Sequence, residues 1–316
     1  MRANAILVAG SMRAEGWRAQ LARELPGRPV HILGEAFDKA SIRYAATWWH
    51  PKGCLSDLPN LAAVFSLGAG VDHVFADPLL PCVPVARAVD ADMARRMAEW
   101  VVLHVLLHHR QQRLFDRQQR ELVWRDDHPQ PAAEEVRVGV MGMGVLGADA
   151  AAKLAGLGFE VAGWSATRKH IPGIRSFAGD SERDAFLART DMLVVLLPHT
   201  PETHGIINAE LLSKLARDGR LGGPFLLNAG RGALQVEADI LEALDSGLLR
   251  GASLDVFETE PLPQSSAFWA HPAVYLSPHI GAVSSLQTIS AMIARQIEHL
   301  EAGGRLEHVV GRERGY

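Results

Sequence analysis

Three residues of types that hold charge or move protons stand at the ends of short apolar runs. Leu226-Leu227-Asn228-Ala229-Gly230-Arg231-Gly232 delivers an arginine between two glycines. A planar guanidinium can donate two parallel hydrogen bonds to one carboxylate. Glu260 follows twenty-nine residues later in Asp-Val-Phe-Glu-Thr-Glu-Pro, and His279 nineteen beyond that in Ser-Pro-His-Ile-Gly. A carboxylate fork, an acid and an imidazole able to exchange a proton near neutral pH fit a small 2-oxo acid. Such a site needs a hydride carrier elsewhere in the chain.

Val138-Gly139-Val140-Met141 runs into Gly142-Met143-Gly144-Val145-Leu146-Gly147, and then into the helix-forming segment Ala148–Leu157. A lone G-x-G-x-x-G is often only a turn. Between a strand and a helix its glycines permit a tight turn, approach of a pyrophosphate and close helix packing. The helix N-terminus then faces the phosphate charge. The next strand end reads Gly163-Trp164-Ser165-Ala166-Thr167-Arg168-Lys169, with Ser165 eighteen residues after Gly147. An NAD site wants an acid near this position for the ribose 2′-hydroxyl. A hydroxyl followed by two basic residues can hold a 2′-phosphate instead, so the spacing favours NADP(H) over NAD.

The elements that must carry these residues alternate. Residues 1–90 show short apolar runs, Ala5–Ala9, Ala63–Leu67 and Val83–Ala86, separated by helix-compatible segments, which predicts a parallel sheet. From Asp92 to about Val123 the pattern predicts one long amphipathic helix, apolar over a width that suits packing on a second subunit. Arg125–Pro131 is polar with two prolines and reads as a loop. A second β/α series follows, with strands expected at Arg137–Met141, Glu160–Trp164, Met192–Leu197, Pro224–Asn228, Gly251–Leu254 and Val274–Leu276. A long helix from Ser284 to about Gly303 suggests a return to the first domain, which makes that domain discontinuous.

Composition narrows the partners. With 316 residues, 48% apolar and 22% charged, the chain reads as a two-domain globular protein. A net charge of −4 with scattered basic residues gives no electrostatic reason for nucleic acid or an anionic membrane. Cys54 and Cys82 have no second Cys or His at ligand spacing, so neither a disulfide framework nor a thiolate metal site is expected. No metal site is expected elsewhere. No apolar run reaches membrane-spanning length, and the first run is too short for a signal peptide, so a cytoplasmic protein is expected. His104, His108, His109 and His271 lack acidic neighbours at ligand spacing and read as surface or interface packing.

Gly68-Ala69-Gly70-Val71-Asp72, the glycine fingerprint, Leu197-Pro198-His199-Thr200-Pro201-Glu202-Thr203 and the Arg231, Glu260 and His279 motifs occur in that order. Together they resemble the D-isomer-specific 2-hydroxyacid dehydrogenases over essentially the whole chain. Within that family the chain is most similar to the NADPH-linked glyoxylate/hydroxypyruvate reductases, through Trp164–Lys169 and the Arg314-Gly315-Tyr316 terminus. Ala166 departs from the arginine often found there, leaving Arg168 with more of the 2′-phosphate to hold. Ile280–Ser284 also departs slightly from the family's usual small-residue run.

The resemblance implies two Rossmann-like, doubly wound parallel-sheet domains with a cleft between them. Residues 1–91 and 286–316 would bind substrate, and residues 92–285 the dinucleotide. Arg231 would bind the substrate carboxylate and polarise the 2-oxo group, His279 would exchange the proton, and Glu260 would orient the imidazole. Glu258 is a rival on residue type, and the choice of Glu260 rests on the family, whose acid precedes a proline. The cofactor would meet Gly142–Gly147, Trp164, Ser165, Thr167, Arg168, Lys169, Leu197, Pro198, Ala229, Gly230, Arg231 and Asp255. Pro198 would cap the adenine and Asp255 would lie near the carboxamide. Leu67, Gly68, Ala69 and Gly70 would offer backbone N–H groups to the substrate, with Trp48 and Arg87 shaping its pocket. The implied activity is reduction of glyoxylate and hydroxypyruvate by a homodimer. Alternatives are an NAD-linked enzyme for a bulkier D-2-hydroxy acid and a non-catalytic nucleotide sensor.

Overall fold

The apolar runs that read as strands are buried almost end to end, as parallel strands covered on both faces must be. The computed structural model describes residues 4–11 and 13–312, so Arg314-Gly315-Tyr316 lies outside the described residues. The chain divides into two units, residues 1–93 with 284–316, and residues 94–283.

The first unit contains β1 (Ala5–Ala9), α1 (Ala14–Glu24), β2 (Val30–Ile32), β3 (Ile42–Thr47), β4 (Ala63–Ser66), α2 (Asp72–Phe75) and β5 (Val85–Ala86). Its five strands are all parallel, in the order β2-β1-β3-β4-β5. Leu7, Ala9, Ile42, Val64 and Val74 share one core cluster. β2 and the central β3 were not expected. Their segments, Val-His-Ile and Ile-Arg-Tyr-Ala-Ala-Thr, are short or alanine-rich, and burial between neighbours rather than propensity makes them strands.

α3 (Ala91–His109) opens in the first unit and runs into the second, where α4 (Gln112–Glu121), β6 (Arg137–Met141), α5 (Val145–Gly156), β7 (Glu160–Ser165), β8 (Arg175–Ala178) and α6 (Gly179–Leu187) follow. β9 (Met192–Val195), α7 (Ala209–Ser213), β10 (Phe225–Asn228), α8 (Glu237–Asp245), β11 (Gly251–Leu254) and β12 (Val274–Leu276) complete it. α9 (Leu286–Glu301) returns to the first unit and packs on α1, its N-terminus capped by Ser285 Oγ.

The second sheet has seven parallel strands in the order β12-β11-β10-β9-β6-β7-β8. Its order reverses between β6 and β9, where open α/β sheets place their ligands beyond the strand ends. Separate clusters built on Leu193 and Leu226 and on Val138 and Val140 fill its two sides. The single long helix expected from Asp92 to Val123 is two helices. Gln111 takes a left-handed conformation, φ 55°, which ends α3, and Leu122 ends α4 the same way. Neither position is glycine or proline, so the sequence carries no break signal there.

Candidate active site

The ends of β6, β10, β11 and β12 carry the second unit's candidate residues. β10 ends at Asn228, whose Oδ1 accepts from the Gly230 N–H at 3.0 Å while its Nδ2 donates to the Arg231 carbonyl and to Gln235 Oε1. Gln235 in turn donates to the Val256 carbonyl at 3.0 Å. A side chain that bridges its own turn fixes that turn, so Asn228 and Gln235 tie the Arg231 loop to the chain beyond β11. Neither was singled out from the sequence, although an asparagine directly before Ala-Gly-Arg is a turn signal.

His279 Nδ1 lies 2.7 Å from Glu260 Oε2, and the other oxygen of Glu260 accepts from the Phe257 N–H at 3.0 Å. Glu258 faces elsewhere. It and Glu237 each accept from the other's backbone N–H, so geometry distinguishes the two acids that residue type left level. Burial alone pushes the Glu260 carboxyl up. The hydrogen bond and charge of His279, the Phe257 N–H and the Arg231 guanidinium outweigh it and leave the pKa below the ordinary glutamate value. His279 itself sits at φ 54°, a region costly for a residue with a Cβ and held only where the surroundings demand it.

Those surroundings centre on Asp255, which is 1% exposed. Its carboxylate accepts from Ser277 Oγ at 2.6 Å and from the N–H groups of Ile280 and Gly281 at 2.9 and 2.8 Å. Its own carbonyl accepts from the His279 N–H at 2.7 Å. Burial pushes the Asp255 carboxyl up, and these donors with the charge of His279 pull it only part of the way back.

The glycine fingerprint lies between β6 and α5. Gly142 takes φ 106°, open to glycine alone, and a Cβ at Gly147 would stand 1.9 Å from the Gly142 carbonyl oxygen. Beyond Gly144 and before the exposed Val145 there is open space, as a pyrophosphate approaching the α5 N-terminus requires. The residues present therefore fit a dinucleotide. Met143 packs inward against Gly163, and Trp164 is core, its indole N–H donating to the Gly179 carbonyl at 2.9 Å. Leu146 is half-buried and Thr167 exposed. Leu197, Ala229 and Gly230 are buried, whereas Pro198 is exposed.

Beyond β7, Arg168, Lys169, His170 and Ser176 line a pocket of about 480 Å³. Arg168 donates to the Ser176 carbonyl and to Glu182, and Ser165 Oγ donates to the Thr167 carbonyl at 2.8 Å. Two of the five guanidinium N–H groups are thereby used, so the fork is held in place with donors to spare.

In the first unit, Leu67-Gly68-Ala69-Gly70 follows β4. Gly68 N–H donates to Ser66 Oγ and its carbonyl accepts from Ala88 N–H, while Ser66 Oγ donates to the Gly70 carbonyl. The N–H groups of Ala69 and Gly70 meet no acceptor among the described residues. Trp48 lies over Gly68 and edge-on to His73 at 4.4 Å. Arg87 is half-buried, which pushes its guanidinium down.

The histidines of α3 are not surface residues. His104 Nδ1 and His108 Nε2 each lie 2.9 Å from the buried Ser253 Oγ, and His109 packs on Phe159. Burial lowers His104 to about 4 and His108 to about 3, the latter helped by His104 and Arg113, so both are neutral at pH 7.

A parallel-sheet nucleotide fold with a glycine turn at its switch point, and an Arg and a Glu–His pair beyond the neighbouring strand ends, defines a dinucleotide-dependent oxidoreductase. The model of the D-isomer specific 2-hydroxyacid dehydrogenase NAD-binding domain matches residues 102–281, and the chain belongs to that family. It is 41% identical over 311 residues, 96% of each chain, to glyoxylate/hydroxypyruvate reductase A of Serratia proteamaculans (strain 568). Among solved structures it is similar to the NADPH-dependent glyoxylate/hydroxypyruvate reductase of Sinorhizobium meliloti in complex with NADP and sulfate. That match has 48% identity and TM-score 0.95 over 99% of this chain and 100% of the other. A probable 2-hydroxyacid dehydrogenase of Rhizobium etli CFN 42 bound to NADP, HEPES and L(+)-tartaric acid matches at 44% identity and TM-score 0.92, over 99% of each chain. Among the described residues no helix is long and apolar enough to cross a membrane.

Proposed function

We propose that this protein reduces small 2-oxo acids with NADPH, glyoxylate to glycolate and hydroxypyruvate to D-glycerate. The observation that carries the reading is the 2.7 Å Glu260–His279 pair in a chain so similar, along nearly its whole length, to reductases of these acids. Arg231 binds the substrate carboxylate with its guanidinium fork and draws electron density from the neighbouring carbonyl. On the first unit, the Ala69 and Gly70 N–H groups are a further pair of donors suited to an anion. The dihydronicotinamide, when bound, supplies the hydride that adds to the carbonyl carbon. An ionised Glu260 requires a hydrogen on Nδ1 of His279, which leaves Nε2 as the nitrogen that gives its proton to the carbonyl oxygen. The product is the 2-hydroxy acid, and the imidazole regains its proton from solvent.

Gly142–Gly147 and the α5 N-terminus would hold the pyrophosphate. Ser165, Arg168 and Lys169 would hold the 2′-phosphate, with no carboxylate at position 165 to repel it. A homodimer accounts for the apolar side chains left exposed, Leu103 on α3 and, at and after the end of α4, Leu122 and Trp124 at 93% and 95%. Sedimentation velocity measures that state. For the activity, NADPH and NADH absorbance is followed with glyoxylate, hydroxypyruvate and pyruvate. Absence of turnover with every 2-oxo acid would overturn the reductase reading, and faster turnover with NADH would overturn the cofactor preference.

A further inference from the structure

We propose that Trp100 of α3, acting through Ser277 and Asp255, is a positioning residue that holds His279 ready to donate its proton. This rests on the reductase reading above. Trp100 Nε1 donates to Ser277 Oγ at 2.9 Å, and Ser277 Oγ donates onward to Asp255 Oδ1 at 2.6 Å. The hydroxyl accepts and donates at once, so the indole N–H fixes where the serine's only hydrogen points. Asp255 then gathers the Ile280 and Gly281 N–H groups, the two that directly follow His279. The three links together tie a helix to the left-handed turn at His279, through side chains 177 and 22 residues apart in sequence.

Packing closes the same path. A Cβ at Gly281 would meet Asp255 Oδ2 at 2.9 Å and the Trp100 ring at 3.4 Å, so the turn lies against the indole as well as the carboxylate. Trp100 is held from behind by His104, whose ring packs on it at 4.2 Å. The titratable groups facing Asp255 are His279 on the turn and, behind the indole, the neutral His104. A buried carboxylate keeps its charge only while its donors remain. Loss of the Ser277 hydroxyl therefore favours the protonated Asp255, which accepts more weakly from the Ile280 and Gly281 N–H groups. The turn that aims His279 is then released.

The test compares Ser277→Ala, Trp100→Phe and Ser277→Thr with the parent in NADPH-linked glyoxylate reduction across pH. Ser277→Ala should lower kcat about tenfold with KM for glyoxylate changed less than about twofold, as expected when one hydrogen bond to a charged group is lost. It should also move the acid limb of the kcat/KM profile up by about one pH unit. Trp100→Phe should act in the same direction but less, and Ser277→Thr, which restores the hydroxyl, should recover most of kcat. In the cofactor-free protein the NMR resonance of the Trp100 indole N–H should shift with Asp255 ionisation, and in Ser277→Ala that pH dependence should vanish. A folded Ser277→Ala protein with the parent's kcat and acid limb would overturn the proposal. So would an indole resonance whose pH dependence survives the substitution. If the parent itself reduces no 2-oxo acid, the reductase reading fails separately, and the indole resonance still decides whether Trp100 senses Asp255.

Discussion

Glu260 and His279 are nineteen residues apart in the chain and 2.7 Å apart between Oε2 and Nδ1. Burial would raise the Glu260 carboxyl, but this contact together with the Phe257 N–H and the Arg231 charge outweighs it, and the pKa is lowered. A depressed folded-state pKa means that the pair's contribution is present above the ordinary glutamate value and is lost only as pH falls through the lower one. Glu260→Gln removes the charge but keeps an acceptor for Nδ1. It should lower kcat roughly 10- to 100-fold through loss of imidazolium stabilisation. Steady-state rates from pH 4 to 9 check this, and an unchanged kcat would remove Glu260 from the mechanism.

Arg231 and His279 should separate kinetically. Arg231→Ala should raise KM for the 2-oxo acid and lower kcat together, because the same guanidinium binds and polarises. Arg231→Lys should not restore the rate, since a point charge lacks the fork. His279→Ala should chiefly lower kcat, by about 10²–10⁴-fold for a lost general acid. Full activity in His279→Ala at neutral pH would mean that another group donates the proton.

Arg168 bears on the choice of cofactor. Its guanidinium is braced by Glu182 and the Ser176 carbonyl. Arg168→Ala should raise KM for NADPH about tenfold, the value of a charge-assisted contact, and leave KM for NADH nearly unchanged. Equal effects on both cofactors would show that Arg168 does not read the 2′-phosphate.

Stability should fall in mild acid because of His104 and His108. Both are buried beside Ser253 and lowered to about 4 and about 3. Unfolding exposes imidazoles that protonate near pH 6.5, so the unfolded state binds more protons below that pH. The stability they confer is complete above about pH 6.5 and is lost as pH falls toward 4. His108→Gln keeps a hydrogen-bonding group near Ser253 without a titrating ring, and should flatten the slope of Tm between pH 6.5 and 4. An identical slope in the variant would assign the acid sensitivity elsewhere.

The class of fold was legible because parallel strands buried on both faces are continuous apolar runs, and β1, β6, β11 and β12 stand where those runs do. β2, β3 and β8 lack such runs and were missed, since their strand state comes from neighbours in the sheet. The break at Gln111 was hidden for a related reason. A left-handed glutamine is stabilised by what surrounds it and leaves no mark in residue type. The burial of His104 and His108 was equally hidden, because helical spacing places them on one face but does not say what covers it.

The residue types proposed to do the chemistry, and the glycines that a dinucleotide needs, are local properties of short motifs and can be read without coordinates. Which of Glu258 and Glu260 meets His279 is not local. It depends on where the chain beyond β11 turns and on Glu237, which occupies Glu258 through paired backbone bonds. The same holds for Asp255, whose buried carboxylate collects Ser277 and two backbone N–H groups from twenty-two to twenty-six residues away. Sequence determines which groups are available. Tertiary packing decides which are brought within 3 Å of each other and shielded from water, and their ionisation and orientation follow from that.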